Sequence, residues 1–142
     1  MICLGLFLVI WVGDSFVLRR STFLSPYVPL SFRLIILGLA LITAIYLWKS
    51  GHVVIRHEQR PNRVVSTGAF RYVRHPLYLA SLLTYLGLTL STLSIASFIL
   101  LVGIIAFHNT IASYEEKWLE AKFGKEYGTY KEKTGKWFPR IW

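Results

Sequence analysis

"PLYLASLLTYLGLTLSTLSIASFILLVGIIAF", residues 76–107, runs for 32 positions without one Asp, Glu, Lys or Arg. As a straight helix it would be about 48 Å long, against a hydrocarbon core of about 30 Å, so one helix cannot use its length. The Ser/Thr-rich centre, "LTLSTLSIAS" at 88–97, predicts a fold-back there. That gives a hairpin of two short helices with no charged residue at its tip. Both ends of the hairpin then return to one membrane face, which makes spatial neighbours of the charged segments 49–75 and 114–142.

The rest of the chain agrees with a bilayer as solvent. Of its 142 residues 54% are hydrophobic and 16% charged, too apolar for an ordinary soluble domain of this size. Residues 1–18 and 29–48 each approach the roughly 20 apolar residues a span needs, with Arg33 close enough to an end to snorkel. Stretch 1–18 lacks a basic leader and is followed by Arg19 and Arg20, so it reads as a retained anchor, either spanning or re-entrant. Asp14 within it reads as an end-of-helix carboxylate paired with Arg19 or wetted by headgroups. Lys and Arg number six in 49–75 and seven in 114–142, against three (Arg19, Arg20, Arg33) between the first two helices. The positive-inside rule therefore puts both large basic segments in the cytoplasm.

The expected fold is all-α and integral to the membrane: a small bundle of about four transmembrane helices, with a helical hairpin and a cytoplasmic C-terminal amphipathic segment. It is expected as one domain, 1–142, with N-terminal helices to 50 and the functional half in 51–142, multi-pass in the cell inner membrane. A net charge of +9 would suit nucleic acid, but the basic residues flank apolar stretches instead of covering a soluble face. Nucleic acid is not an expected partner; membrane lipids are. The single Cys3 excludes an internal disulfide and any cysteine metal cluster, and no metal site is expected.

The chemistry concentrates at the ends of the uncharged run. In "RYVRHPLY", residues 71–78, Pro76 suits the first turn of a helix, where its missing N–H costs nothing, and His75 becomes the N-cap. Free backbone N–H groups, the helix dipole, Arg74 and His75 then converge on a site for a carboxylate or phosphate. Arg71 with His75, and Arg74 with Tyr78, share a face if the helical path continues through them. The opposite wall is "SYEEKWLEAKFGKEYGTY", 113–130, where a membrane helix leaves the bilayer and runs on to Gly124, a C-cap. Glu115 and Glu116 sit at that exit. Cations facing paired carboxylates suit a ligand with a negative group at one end and hydroxyls or positive charge at the other. The bland alternative is a basic cluster that anchors a helix end to anionic lipid, with the Glu pair balancing charge.

The order of these elements resembles a known family. "HVVIRHEQRPNRVVSTGAFRYVRHPLY", a hydrophobic hairpin and "EEKWLEAKFGKEYGTYKEKTGKWFP", together residues 52–139, resemble the isoprenylcysteine carboxyl methyltransferases and their prokaryotic relatives, with phospholipid N-methyltransferases as more distant kin. The resemblance implies an integral membrane methyltransferase that uses S-adenosylmethionine, held in a cytoplasmic pocket built by the C-terminal half. Carried over by position, it implies cofactor contacts at Asn62, Arg63, Val64, Val65, Phe70, Arg74, His75, Pro76, Leu77, Tyr78, Glu115 and Glu116. Arg74 or His75 would hold the methionine carboxylate, and Glu115 would accept from ribose hydroxyls or the amino group. The chain departs from the pattern at Ala80, where a Gly is usual, and at Ile111, where an Arg often meets the substrate carboxylate. His108 and Asn109, one turn earlier, are candidate replacement donors, and Tyr85 is a candidate lining residue for a lipid gate.

Methyl transfer from a sulfonium asks mainly for in-line positioning. A carboxylate acceptor needs no base, whereas a lipid amine must first lose a proton. The expected reaction is therefore O-methylation of a carboxylate on a lipidic or prenylcysteine-like acceptor, with N- or S-methylation of a phospholipid or other amphiphile as the alternative. An enzyme predicts sharp loss at Arg74, His75 or Glu115 and little at Lys131 or Lys133. A lipid anchor predicts a graded loss with any basic residue.

Overall fold

A computed structural model of the protein describes residues 2–57 and 63–140, and among them it is helical with no strand. The order is α1 (Ile2–Val12), a π-helical turn (Gly13–Leu18), a 3-10 turn (Ser25–Tyr27), α2 (Leu30–His57), a 3-10 turn (Gly68–Arg71), α3 (Pro76–Thr92), α4 (Ile95–Phe123) and α5 (Lys125–Lys133). Two stretches are long and apolar enough to cross a bilayer, Leu30–Val53 and Ile95–Phe123, and Cys3–Leu18 is a shorter apolar helix. Their large side chains point outward: Ile35, Leu39 and Ile42 on α2, and Ile99 and Val102 on α4, are all more than half exposed. A soluble protein does not leave such continuous apolar faces to water. With that composition, the chain is a membrane protein.

The chain forms two compact units, Met1–Ala44 with Ser81–Phe107, and Ile45–Ala80 with His108–Trp142. The core of the first is Phe7, Tyr85, Leu101 and Ile104, with Trp11, Leu82, Leu88 and Leu100 packed on it. The Phe7 and Tyr85 rings lie 4.7 Å apart.

The hairpin turns within the predicted 88–97. Helix α3 ends at Thr92, Leu93 takes a left-handed conformation (φ 54°), and α4 begins at Ile95. Ser94 Oγ accepts from Ser97 N–H at 3.1 Å, which satisfies one of the orphan donors of the first turn of α4. The same hydroxyl donates to Asp14 Oδ2 at 2.6 Å. Ser21 gives that carboxylate both its backbone N–H, at 3.2 Å, and its hydroxyl. Asp14 is thus a buried cap of the hairpin turn, joined to serines. Among the described residues no ion pair joins it to Arg19, the partner expected for it. Arg33 reaches the carbonyl of Ser91 at 2.7 Å.

The second unit is tied by pairs distant in sequence. Gly51 packs so closely on Leu77 that a Cβ there would come within 2.8 Å of Leu77 Cδ2. Ala69 N–H donates to Ser50 Oγ at 2.9 Å, and Tyr130 Oη to the Phe70 carbonyl at 2.7 Å. Val73 and Gly135 form an isolated parallel bridge, continued by Arg74 N–H to the Gly135 carbonyl at 2.9 Å. Helix α4 ends at Phe123, and Gly124, the C-cap expected there, follows with φ 53°, a positive value that favours glycine.

Candidate functional site

Helix α3 starts at Pro76, and the His75 carbonyl accepts its first hydrogen bond, from Leu79 N–H at 3.0 Å, so His75 is the N-cap residue expected from the sequence. The shared face expected for Arg71 and His75 is not formed. The 3-10 turn ends at Arg71, and a residue before proline is pushed out of the helical region, so the path breaks between them. Arg71 is exposed.

Successive residues on a helix point about 100° apart, and this separates the two glutamates of α4. Glu116 turns inward. Its Oε1 accepts from Arg74 Nε at 2.9 Å and from His75 Nε2 at 3.0 Å, with all three side chains buried. Arg74 Nη1 donates further to the Thr134 carbonyl at 2.5 Å and the Lys131 carbonyl at 3.2 Å. A buried guanidinium needs such satisfaction, and here it fastens α3, α4 and the chain after α5 at one point.

Glu115 turns outward and is half exposed. Its Oε1 accepts from Tyr78 Oη at 2.5 Å, and its Oε2 lies 3.6 Å from His75 Nδ1. The His75 ring stacks on Tyr78 at 5.8 Å and meets Trp137 at 5.8 Å, while Tyr78 meets the buried His108 edge-on at 5.2 Å. Burial pushes the His75 pKa below its ordinary value, against the opposing pull of the Glu116 carboxylate. The ring is therefore neutral near pH 7, with its Nε2 proton given to Glu116. Burial also pushes the Tyr127 phenol up to about 12 and raises Tyr130, so both stay protonated donors.

Arg74, His75, Pro76, Leu77, Tyr78, Glu115 and Glu116 thus lie in one cluster or directly beside it. Asn62 lies outside the described residues. Arg63 is exposed. Val64 N–H donates to Glu126 Oε1 at 2.9 Å, and Val64 lines a cavity of about 590 Å³ with Arg71, Glu126 and Lys133. Val65 and Phe70 are half-buried. Tyr85 belongs to the core of the other unit, against Phe7.

Sequence reasoning missed the role of the segment after α5. Asn109 Oδ1 accepts from Lys136 Nζ at 2.8 Å and from Trp137 Nε1 at 3.2 Å, and Ser113 Oγ takes Lys136 Nζ at 2.8 Å. The only signal was a Gly–basic–aromatic run, 135–137, which says nothing of what it touches.

A family model described as phospholipid methyltransferase matches residues 28–126, well over half of the chain. The cobalt-zinc-cadmium resistance protein CzcN of Cupriavidus metallidurans is 32% identical over 114 residues, covering 80% of this chain and 51% of that protein. The protein-S-isoprenylcysteine O-methyltransferase of Saccharomyces cerevisiae is 31% identical over 91 residues, covering 63% of this chain and 38% of that protein. The chain spans about half, or less, of the length of these curated relatives. No solved structure matches it.

Proposed function

The chain belongs to the phospholipid methyltransferase family, and from that premise we propose that it is a membrane methyltransferase that uses S-adenosylmethionine to O-methylate the carboxylate of a lipidic, prenylcysteine-like acceptor. The observation that carries this reading is the division of labour between adjacent glutamates: Glu116 buried under Arg74 and His75, Glu115 open and joined to Tyr78. The donor set fits the cofactor. It combines a hydrogen-bonding end at Arg74 and His75, a carboxylate at Glu115 for hydroxyl or amino groups, and aromatic faces at Tyr78 and Trp137 for an adenine or a sulfonium. Pro76, Leu77, Phe70, Arg63, Val64 and Val65 complete the proposed pocket, with His108 and Asn109 as acceptor-side candidates.

Held by Arg74, His75 and Glu115, the cofactor would supply an electrophilic methyl on a sulfonium. The protein's part is positioning. Glu116 fixes the Arg74 guanidinium and the His75 ring in place, and Tyr78 fixes the Glu115 carboxylate, so the site needs little rearrangement on binding. The proposed topology has four short spans, with the cluster on the cytoplasmic side of the inner membrane and the acceptor entering from the bilayer. It is supported by the lopsided Lys and Arg count.

One observation favours a second reading, N-methylation of a phospholipid amine. The neutral His75 ring donates a hydrogen bond from Nε2–H to Glu116 and keeps its unprotonated Nδ1 3.6 Å from Glu115, so a base is at hand for an ammonium that must be deprotonated first. Calorimetric titration of detergent-purified protein with S-adenosylhomocysteine tests the cofactor assignment. Micromolar binding lost in Glu115→Gln and Arg74→Ala supports it, and no heat from a folded wild type removes it. Labelled cofactor supplied with a prenylcysteine or with phosphatidylethanolamine then separates O- from N-methylation.

A further inference from the structure

The turn after α5 forms a second, open cavity, of about 730 Å³, lined by Arg74, Lys136 and Arg140 together with Trp137, Phe138 and Pro139. That volume is within the range of small-ligand pockets. Its charge sets it apart from the cavity beside Arg71. There Glu126 stands among the basic residues, whereas three cations and no carboxylate line this one.

Arg74 is neutralised by Glu116. Lys136 and Arg140 are not: among the described residues no carboxylate lies within ion-pair distance of either. Lys136 is nevertheless held firmly. Its ammonium donates to Asn109 Oδ1 at 2.8 Å, the Asn109 carbonyl at 3.2 Å and Ser113 Oγ at 2.8 Å. An ordinary surface lysine keeps most of its rotamer freedom, and three neutral oxygens that fix it without cancelling its charge leave a positioned cation. Arg140 donates to the Glu132 carbonyl. The turn has little slack, since a Cβ on Gly135 would run into the Phe138 carbonyl oxygen. Phe138 is 81% exposed beside Trp137, an apolar surface at the rim of a cationic cavity. The cavity adjoins the cluster above, because Trp137 meets the His75 ring at 5.8 Å.

We propose that Lys136 and Arg140 receive the anionic group, carboxylate or phosphate, of a lipid-tailed methyl acceptor, with Trp137 and Phe138 contacting the start of its tail. This rests on the methyltransferase reading for the word acceptor, and on the cavity alone for the anion. A carboxylate or phosphate matches two cations that have no counter-ion among the described residues, and the exposed aromatic pair gives an amphiphile somewhere to lay its first methylenes.

The test is a titration of the full chain in nanodiscs of zwitterionic lipid with four twelve-carbon probes: laurate, dodecyl phosphate, dodecanol and dodecylamine. At least one anionic probe is expected to bind at least about tenfold more tightly than dodecanol, a preference of roughly 1.4 kcal/mol. Lys136→Gln with Arg140→Gln should abolish that preference without changing dodecanol binding, and Lys136→Arg should keep it. Which anion wins identifies the source, carboxylate or phosphate headgroup. Equal affinity for all four probes, or a preference that survives the double variant, overturns the proposal. S-adenosylhomocysteine is titrated into the same samples. If the double variant loses cofactor binding but keeps the anion preference, these cations hold the cofactor and the acceptor assignment falls. If the wild type binds no cofactor yet shows the charge-dependent preference, the methyltransferase reading fails and the anion site stands.

Discussion

Arg74 and Glu116 are 42 positions apart in sequence and meet at 2.9 Å with both side chains buried. Breaking such a pair by removing one partner leaves the other charge uncompensated, at a cost of about 3–5 kcal/mol. Glu116→Gln and Arg74→Ala should each lower the unfolding temperature sharply in a detergent melt. Lys131→Ala, by contrast, removes an ion pair to Glu120 in which both side chains are about two-fifths exposed, and solvent screening limits that loss to about 0.5 kcal/mol. Equal effects from Glu116→Gln and Lys131→Ala would refute the distinction.

The His75 ring gives a pH dependence with a fixed sign. Burial holds its folded pKa below the unfolded value of 6.5, so below that value the unfolded chain binds more protons than the folded one. The stabilising contribution is complete above pH 6.5 and is lost as pH falls through and below it. Melting temperatures from pH 7.5 to 5.5 should decline in the wild type, and the decline should flatten in His75→Gln. An unchanged slope would assign the acid sensitivity elsewhere.

Two glycines should respond differently to alanine. At Gly135 the new methyl meets backbone, the Phe138 carbonyl, which cannot rotate away. At Gly51 it meets the end of the Leu77 side chain, which can. Gly135→Ala should cost roughly 1–3 kcal/mol and Gly51→Ala less, read from the same melts.

Tyr78→Phe removes one hydroxyl from Glu115 and leaves the ring stacked on His75. Affinity for S-adenosylhomocysteine should fall roughly fivefold, the value of one solvent-exposed hydrogen bond of about 1 kcal/mol, with the melting temperature little changed. A larger loss in Tyr78→Phe than in Glu115→Gln would make the phenol the direct contact.

Asp14→Ala should destabilise the hairpin cap, because it leaves the hydroxyls of Ser21 and Ser94 without their acceptor. The expected cost is about 1–3 kcal/mol. Arg19→Ala should be nearly silent, and the reverse ranking would restore the pairing that Asp14 was expected to make with Arg19.

What the sequence determined by itself follows from short-range physics. An uncharged run too long for one span must fold back, and its Ser/Thr centre marks where. Pro76 must open a helix, Gly124 must end one, and apolar stretches must find lipid. These depend on chain geometry and solvent, which every residue carries with it. The tertiary structure alone decided which of two adjacent carboxylates is buried. It also decided that Asp14 caps a turn about eighty residues away, and that Arg71 leaves the site while Lys136 is seated on α4 at Asn109. Each of these is a choice among partners of similar chemistry, and only three-dimensional packing fixes which donor comes within 3 Å of which acceptor.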